Sequence, residues 1–241
     1  MDLPIFLDIE ASSLGRASYP IEIAWSDPTG EVETHLIDPN HILDWTDWDP
    51  AAQAVHGLSR RYLSEHGEDP KLVAGRIQAV LAGQSVYSDA PEYDQGWLEV
   101  LFRDALGAPC PVRLRHIMTL FFTEYTPVPA DEPVPSLTPH EARLSEIYEA
   151  AWDDVAGQPH RAGTDVQHRL AWYRRVQAEF HGDPVLRAHK NPSQAADKAR
   201  IQRGELSSED VALIPTEMIK RCRIEAKEDF FDPDQEDPEG S

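Results

Sequence analysis

Five side chains that can bind metal ions or transfer a proton are spread along the sequence. They are, in chain order, Asp8, Glu10, Asp94, His160 and Asp165. Four carboxylates can hold two hard divalent cations, and a nearby imidazole can take a proton from water. These are the components of a phosphodiesterase that works with two metal ions. That chemistry requires the fold to bring all five side chains to one place.

The first two carboxylates lie on a predicted strand. Residues 3–10 form a short, almost continuous apolar run, which is typical of a central strand. Asp8 and Glu10 are two positions apart, so both side chains leave the same face of that strand. Because burying an unpaired charge is costly, this pair indicates a metal ion as its partner. Glu22, on the next predicted strand, fits a solvent-exposed face, and we expect it there.

The other three side chains lie near helix starts. Asp94 comes early in a predicted helix that follows a buried strand, and ligands of open α/β sheets gather at that edge. His160 and Asp165 lie across the start of another predicted helix. Taken singly, the carboxylate would be explained by the helix dipole and the histidine by capping. The metal-site prediction therefore depends on all five side chains occurring together.

The rest of the pattern predicts an α/β fold. In chain order the predicted elements are strands at 3–10, 20–26 and 31–37, a helix at 70–82, a strand at 84–88, a helix at 93–106, a strand at 112–115, and helices at 138–155 and 160–180. This order predicts a mixed sheet with helices on both faces. The proline-rich segment 126–139 is predicted to be a loop, and Thr138 with Glu141 forms a predicted capping box.

The charge balance restricts the substrates. The chain has 22 Lys and Arg residues against 43 Asp and Glu residues, a net charge of −21. Nucleic-acid binders usually present a basic face, and a chain this acidic cannot attract a long polyanion by its overall field. Metals and a local basic patch would have to attract the substrate, which favours a grip on a few nucleotides at one end. The sequence leaves open whether the basic residues near the last motif form a continuous strip. These residues are Arg161, Arg169, Arg174, Arg175 and Lys190.

Localisation and redox state are also expectations of the sequence. We find no signal peptide and no apolar run long enough to span a bilayer, so we expect a cytoplasmic protein without a membrane partner. Cys110 and Cys222 lie far apart outside any metal-binding spacing, and we expect two reduced thiols.

With these motifs, the chain resembles the DEDDh-type 3′–5′ exonucleases, the family of proofreading exonuclease subunits, oligoribonuclease and ribonuclease T. The resemblance extends over roughly residues 3–180. Asp8-Ile9-Glu10 is similar to the family's first motif, Asp94 with the following Gln-Gly-Trp-Leu to the second, and His160-x-Ala162-x-x-Asp165 to the third. The segments Pro-Ile-Glu-Ile-Ala at 20–24 and Val-His-Gly-Leu at 55–58 are also similar to family segments. One position departs: many members have Asn where this chain has Ala90, with Asp89 beside it, and an acidic residue there could alter metal or substrate contacts.

The resemblance implies a ribonuclease H-like fold, a mixed five-stranded sheet flanked by helices on both faces. It implies two divalent cations, Mg²⁺ or Mn²⁺, with Asp8 bridging both and Asp94 holding the second. Glu10 and Asp165 would complete the site that activates water, and His160 would be the general base. The implied activity releases nucleoside 5′-monophosphates from the 3′ end of short or single-stranded DNA or RNA. The implied contacts to the terminal nucleotide come from Ser12, Ser13, Leu14 and His56.

The predicted organisation has three parts. Residues 1–183 are predicted to form the exonuclease domain, 184–224 a helical appendage, and 225–241 an acidic, disordered tail with little apolar surface. A competing interpretation is a catalytically weak protein with an exonuclease fold that acts as a subunit or interaction protein through this tail. A basic protein partner for the tail and a homodimer remain open.

Overall fold

The computed structural model describes residues 2–121 and 139–180, and these contain one mixed five-stranded sheet. The strands are β1 (Ile5–Ala11), β2 (Pro20–Ser26), β3 (Val32–Leu36), β4 (Val86–Ser88) and β5 (Leu114–His116). Their order in the sheet is β3-β2-β1-β4-β5, so β1 lies at the centre. β2 pairs antiparallel with β1 and β3, whereas β4 pairs parallel with β1 and β5. The predicted α/β fold, a mixed five-stranded sheet flanked by helices, is confirmed.

Helices cover both faces of this sheet. They are α1 (Pro50–His56), α2 (Arg60–His66), α3 (Pro70–Leu81), α4 (Pro91–Leu106), α5 (Pro139–Ala150) and α6 (Ala162–Phe180). Because side chains alternate along β1, successive residues of this strand face different layers. Ile5, Leu7 and Ile9 point into a core shared with α3 and α4. Phe6 points to the opposite face, into a second core formed with α5 and α6.

Every strand and helix predicted within the described residues is present, with small shifts at the ends. Two short helices, α1 and α2, were not predicted. Each has a side-chain cap, from Asp49 in one case and Ser59 in the other, and each is seven residues long. Few apolar residues repeat at helical spacing in segments this short, so periodicity does not reveal them. The helix predicted to reach Val155 ends at Ala150 and continues as a 3₁₀ turn over Ala151–Asp154.

Several predictions lie outside the described residues. They are the loop at 126–138, the capping box of Thr138 and Glu141, Lys190, Cys222, the appendage at 184–224 and the tail at 225–241. Cys110 forms no disulfide within the described residues, and the prediction of two reduced thiols stays a prediction. In the described part of the chain, no helix is both long and apolar enough to cross a bilayer.

The start of α6 lies very close to the sheet. A Cβ atom on Gly163, in the first turn of this helix, would come within 2.6 Å of the Thr34 hydroxyl oxygen on β3. Glycine at this position therefore allows the close approach that brings the N-terminal end of α6 to the end of β1.

Two leucines on α3 provide a test of the core. Leu81 is 2 % exposed and Leu72 is 66 % exposed. We expect Leu81→Ala to lower the free energy of unfolding by about 2–5 kcal/mol, since it leaves a cavity in the core. Leu72→Ala on the same helix should change it by less than about 0.5 kcal/mol. Urea denaturation measures both, and equal losses would contradict this packing.

Candidate active site

Three of the predicted carboxylates come together at the centre of the sheet. Asp8 and Glu10 leave β1 on the face covered by α6, and Asp165 lies in the first turn of that helix. One carboxylate oxygen from each of the three lies within 4.8 Å of the other two. Asp8 and Asp165 are buried, and Glu10 is half-buried. An all-oxygen donor set of this size suits a hard divalent cation.

Asp94 lies near these three carboxylates, on the side of β1 where β4 pairs with it. It lies in the first turn of α4, just after β4, and is 3 % exposed. The Ser88 hydroxyl donates a hydrogen bond to Asp94 Oδ2 and also accepts one from the Ala90 amide at 3.0 Å. The Asp94 carboxylate is thereby held in place at the carboxyl end of β4, and its charge acts on both Asp8 and Glu10.

Burial dominates the protonation of these side chains. In the absence of metal, loss of hydration raises the pKa of Glu10 to about 8, helped by repulsion from Asp165, Glu22 and Asp94. Burial likewise raises the pKa values of Asp8, Asp94 and Asp165, although the nearby Arg169 guanidinium opposes the shift. Carboxylates with these pKa values lack enough positive charge around them, and a bound cation would supply it.

His160 lies immediately before α6 in an unusual backbone conformation. Among the described residues it is the one non-glycine residue with a positive φ, 63°. Left-handed backbone is unfavourable for a side-chain-bearing residue unless its surroundings hold it. Here the His160 amide donates to Asp165 Oδ2 at 3.1 Å, so a proposed metal ligand also holds the backbone of the proposed base.

Glu22 completes the support of this turn, and the prediction that it faces solvent was wrong. It is 1 % exposed, because α6 covers its face of β2. Arg161 donates to Glu22 through Nε at 3.0 Å and Nη2 at 2.6 Å, and the Ala162 amide donates to it at 3.0 Å. The buried carboxylate therefore holds both the residue after His160 and the first residue of α6.

The residues predicted to hold the terminal nucleotide lie just beyond the end of β1 and at the end of α1. Ser12 and Ser13 are buried just beyond the end of β1, and Leu14 is 37 % exposed. His56, at the end of α1, is buried, and its Nδ1 accepts the Leu58 amide at 3.0 Å. Its Nε2 is buried with no hydrogen-bond partner among the described residues. Burial lowers the pKa of His56 to about 4, so at neutral pH the ring is uncharged with its proton on Nε2.

The serine hydroxyls are already engaged within the loop. Ser12 Oγ accepts the Tyr19 amide at 3.2 Å, and Ser13 Oγ accepts the Gly15 amide at 2.9 Å and donates to Asp47. These bonds fix the loop that carries the Leu14 side chain. The amides of Ser12 and Ser13 also have acceptors, Tyr19 O and Ser18 Oγ, so a contribution of this loop to nucleotide binding would come from the exposed Leu14 side chain.

The basic residues near the third motif do not form a free strip in the described part of the chain. Arg161 is paired with Glu22, and Arg175 is paired with Asp154 at 2.6 and 2.9 Å. Arg174 lies against the turn at Gly30.

The position of Arg169 was not evident from the sequence: it is buried in contact with the carboxylates themselves. Arg169 falls on the apolar stripe of α6, at helical spacing from Ala162, Asp165 and Val166. A charged residue on such a stripe, four positions after a candidate ligand, was the signal that could have placed it.

Solved structures of exonuclease I share this fold, which confirms the predicted ribonuclease H-like fold. The zinc-bound form of the E. coli exonuclease I–single-stranded DNA complex has a TM-score of 0.51 at 18 % identity, over 76 % of this chain and 41 % of that chain. E. coli exonuclease I with a dA16 oligonucleotide and exonuclease I from Methylocaldum szegediense each have a TM-score of 0.50, with the same identity and the same shares covered.

This likeness establishes the fold, since identities near one fifth do not by themselves transfer an activity. The chain also covers less than half of the length of those exonuclease I chains. No protein-family model matches the sequence, and a search of curated proteins gave no match.

Replacement of Glu22 tests the support of the His160 turn. We expect Glu22→Gln to lower the free energy of unfolding by about 1–3 kcal/mol, because Arg161 and the Ala162 amide lose a charged acceptor. Glu33, on β3, makes a comparable bidentate pair with Arg76, but its side chain is 34 % exposed. Glu33→Gln should therefore cost less than about 1 kcal/mol. Chemical denaturation in the presence of a chelator compares the two.

The raised carboxylate pKa values predict an unusual pH dependence. Between about pH 4.5 and 8 the folded, metal-free protein holds a proton on Glu10 that the unfolded chain releases, so stability falls as pH rises. The lowered pKa values of His56 and His116, about 4 each, act in the opposite direction below about pH 6.5. We therefore expect the melting temperature in chelator to fall between about pH 6.5 and 8, and Glu10→Gln to flatten that slope. A melting temperature that rises over this range would contradict the raised pKa of Glu10.

Proposed function

We propose that the protein is a metal-dependent 3′–5′ exonuclease that releases nucleoside 5′-monophosphates from short or single-stranded nucleic acid. The observation that carries this proposal is the compact group of Asp8, Glu10 and Asp165 in a fold shared with exonuclease I. Asp94 and His160 stand at the edges of the same group, where a second cation and a base would be needed.

The oxygen atoms of the buried carboxylates are suitable ligands for divalent cations. Asp8, Glu10 and Asp165 would hold one ion, and Asp94 together with Asp8 would hold a second. Two such ions would stabilise the attacking and leaving oxygens of an in-line phosphodiester displacement. Oxygen ligands alone favour Mg²⁺ or Mn²⁺, although the E. coli exonuclease I structure with single-stranded DNA contains zinc. Burial of the carboxylates keeps water away and strengthens their interaction with the bound charge.

His160 is the proposed general base. A neutral imidazole nitrogen can accept a proton from the attacking water. His160 is half-buried and interacts electrostatically with both Asp165 and His56, which supports a position near the carboxylates and near the proposed nucleotide site. Asp165 and Glu22 fix the backbone on either side of it, so the base requires little reorganisation when substrate binds.

The terminal nucleotide would lie against Leu14 and His56. The buried Nε2–H of His56 needs an acceptor, because an unsatisfied buried donor costs about 1–3 kcal/mol. A sugar or phosphate oxygen of a nucleotide would provide one. Leu14 would give an exposed apolar surface for the base. Single-stranded DNA is the first substrate to test, since the exonuclease I structures contain it.

The net charge of −21 favours one alternative, an interaction protein with little turnover that uses its acidic tail. Under either interpretation the basic partner of the tail, a homodimer and a cytoplasmic location stay predictions. Turnover on oligonucleotides separates the two interpretations.

A paired digestion tests the proposal. Single-stranded DNA and RNA, labelled at either end, are incubated with Mg²⁺ or Mn²⁺ and wild type, Asp8→Ala or His160→Ala. We expect wild type to release a 3′ label at once as a mononucleotide and to shorten 5′-labelled strands stepwise. His160→Ala should lose about 10²–10⁴-fold in rate, the usual contribution of general-base catalysis, and Asp8→Ala should lose more.

A matched control lies on α4. Glu99, five residues after Asp94, is exposed, so Glu99→Gln should retain the wild-type rate whereas Asp94→Asn should not. Release from the 5′ end, or equal activity in Asp8→Ala, would refute the proposal. A wild type that is inert on every strand would support the interaction protein instead.

A further inference from the structure

Arg169 is a buried cation at the centre of the acidic group. It lies one turn after Asp165 on α6 and is 6 % exposed. Its Nη2 lies 3.3 Å from Asp8 Oδ1 and also donates to Asp89, while its Nη1 lies 3.8 Å from Asp165 Oδ1. The guanidinium therefore contacts two of the proposed metal ligands directly and links them to a third carboxylate.

Asp89 has no place in the proposed ligand set. It lies between β4 and α4, with a side chain 21 % exposed, and Arg169 is its partner. If two divalent cations neutralise Asp8, Glu10, Asp94 and Asp165, then Asp89 and Arg169 are left as a neutral pair. In the metal-free protein, by contrast, the positive charge of Arg169 is shared among the ligands and Asp89.

We propose that the Asp89–Arg169 pair sets the affinity of the site for divalent cations. Arg169 is a resident positive charge that stabilises the carboxylates of Asp8 and Asp165 when no metal is bound. An incoming cation is repelled by this charge at short range. Asp89 draws the guanidinium to one side and offsets its charge, so the ligands remain available.

The physical argument rests on sign and distance. Charges a few ångströms apart in a partly buried site interact strongly, because little water screens them. Removing Arg169 takes away repulsion of the metal, and removing Asp89 takes away attraction. The two substitutions must therefore move cation affinity in opposite directions. A pair that served only packing would lower affinity in both cases, by disordering the ligands.

This inference rests on the proposed metal-dependent function, and its test measures binding without catalysis. Mn²⁺ binding to the full-length chain is measured by isothermal titration calorimetry, and the melting temperature is recorded with chelator and with Mn²⁺. The variants are Arg169→Met, Asp89→Asn, the double variant and Arg169→Lys. Arg175→Met is the matched control, since Arg175 lies on the same helix in a more exposed pair with Asp154.

We expect Arg169→Met to bind Mn²⁺ roughly tenfold more tightly and Asp89→Asn roughly tenfold more weakly, from the change of one unit charge near the ion. The double variant should lie close to wild type, and Arg169→Lys should stay closer to wild type than Arg169→Met. In chelator Arg169→Met should melt lower than wild type, with a larger gain on adding Mn²⁺. Arg175→Met should leave Mn²⁺ binding unchanged.

Weaker or unchanged Mn²⁺ binding in Arg169→Met, or unchanged binding in Asp89→Asn, would overturn the inference. If Arg169→Met fails to fold even with Mn²⁺, the more exposed Asp89→Asn decides alone. Failure of the proposed function has a different signature, because wild type itself would then bind no Mn²⁺ and both ideas would fall. A wild type that binds Mn²⁺ and degrades DNA, with both single variants shifted the same way, would refute this inference only.

Discussion

The mutual repulsion of carboxylates crowded around the end of β1 is the constraint that organises this molecule. One carboxylate oxygen each from Asp8, Glu10 and Asp165 lies within 4.8 Å of the other two, and Asp94 and Asp89 lie beside this group. Such a group is unfavourable in a protein interior unless positive charge is supplied. The chain supplies part of it through Arg169. The surrounding core holds the group together despite the cost, which is the arrangement expected of a functional site.

Hydrogen bonds to buried acidic side chains also shape the backbone around His160. Asp165 accepts the His160 amide, and Glu22 accepts the Arg161 side chain and the Ala162 amide. The positive φ of His160 is therefore held from both sides by acidic residues on different elements. Any change at Asp165 would disturb the proposed metal site and the placement of the proposed base together, so effects at these positions should not be additive.

Much of the fold was predictable because its strands and longer helices carry strong patterns. The apolar run of β1 and the alternation of β2 locate the centre of the sheet, and residues two apart on β1 had to share a face. Sequence spacing also placed Asp94 and Asp165 at the correct helix starts.

The rest depended on tertiary contacts that no local pattern encodes. Glu22 looked like an exposed residue because alternation along β2 gives its face but not what covers that face, and α6 is distant in sequence. The position of Arg169 was left open by the sequence because its three carboxylate neighbours come from three separate segments. The left-handed backbone of His160 likewise follows from its acceptors rather than from its residue type.

The internal pairing of the arginines has a consequence for how a strand would be held. Arg161 and Arg175 are engaged with acidic partners and Arg169 is buried, so within the described residues this region offers few free cations to backbone phosphates. Release of condensed counterions, which makes most DNA binding steeply dependent on salt, would then contribute little. Retention of a strand would depend instead on bound metal and on contacts with the last nucleotide, and it should persist at ionic strengths that dissociate basic DNA-binding proteins.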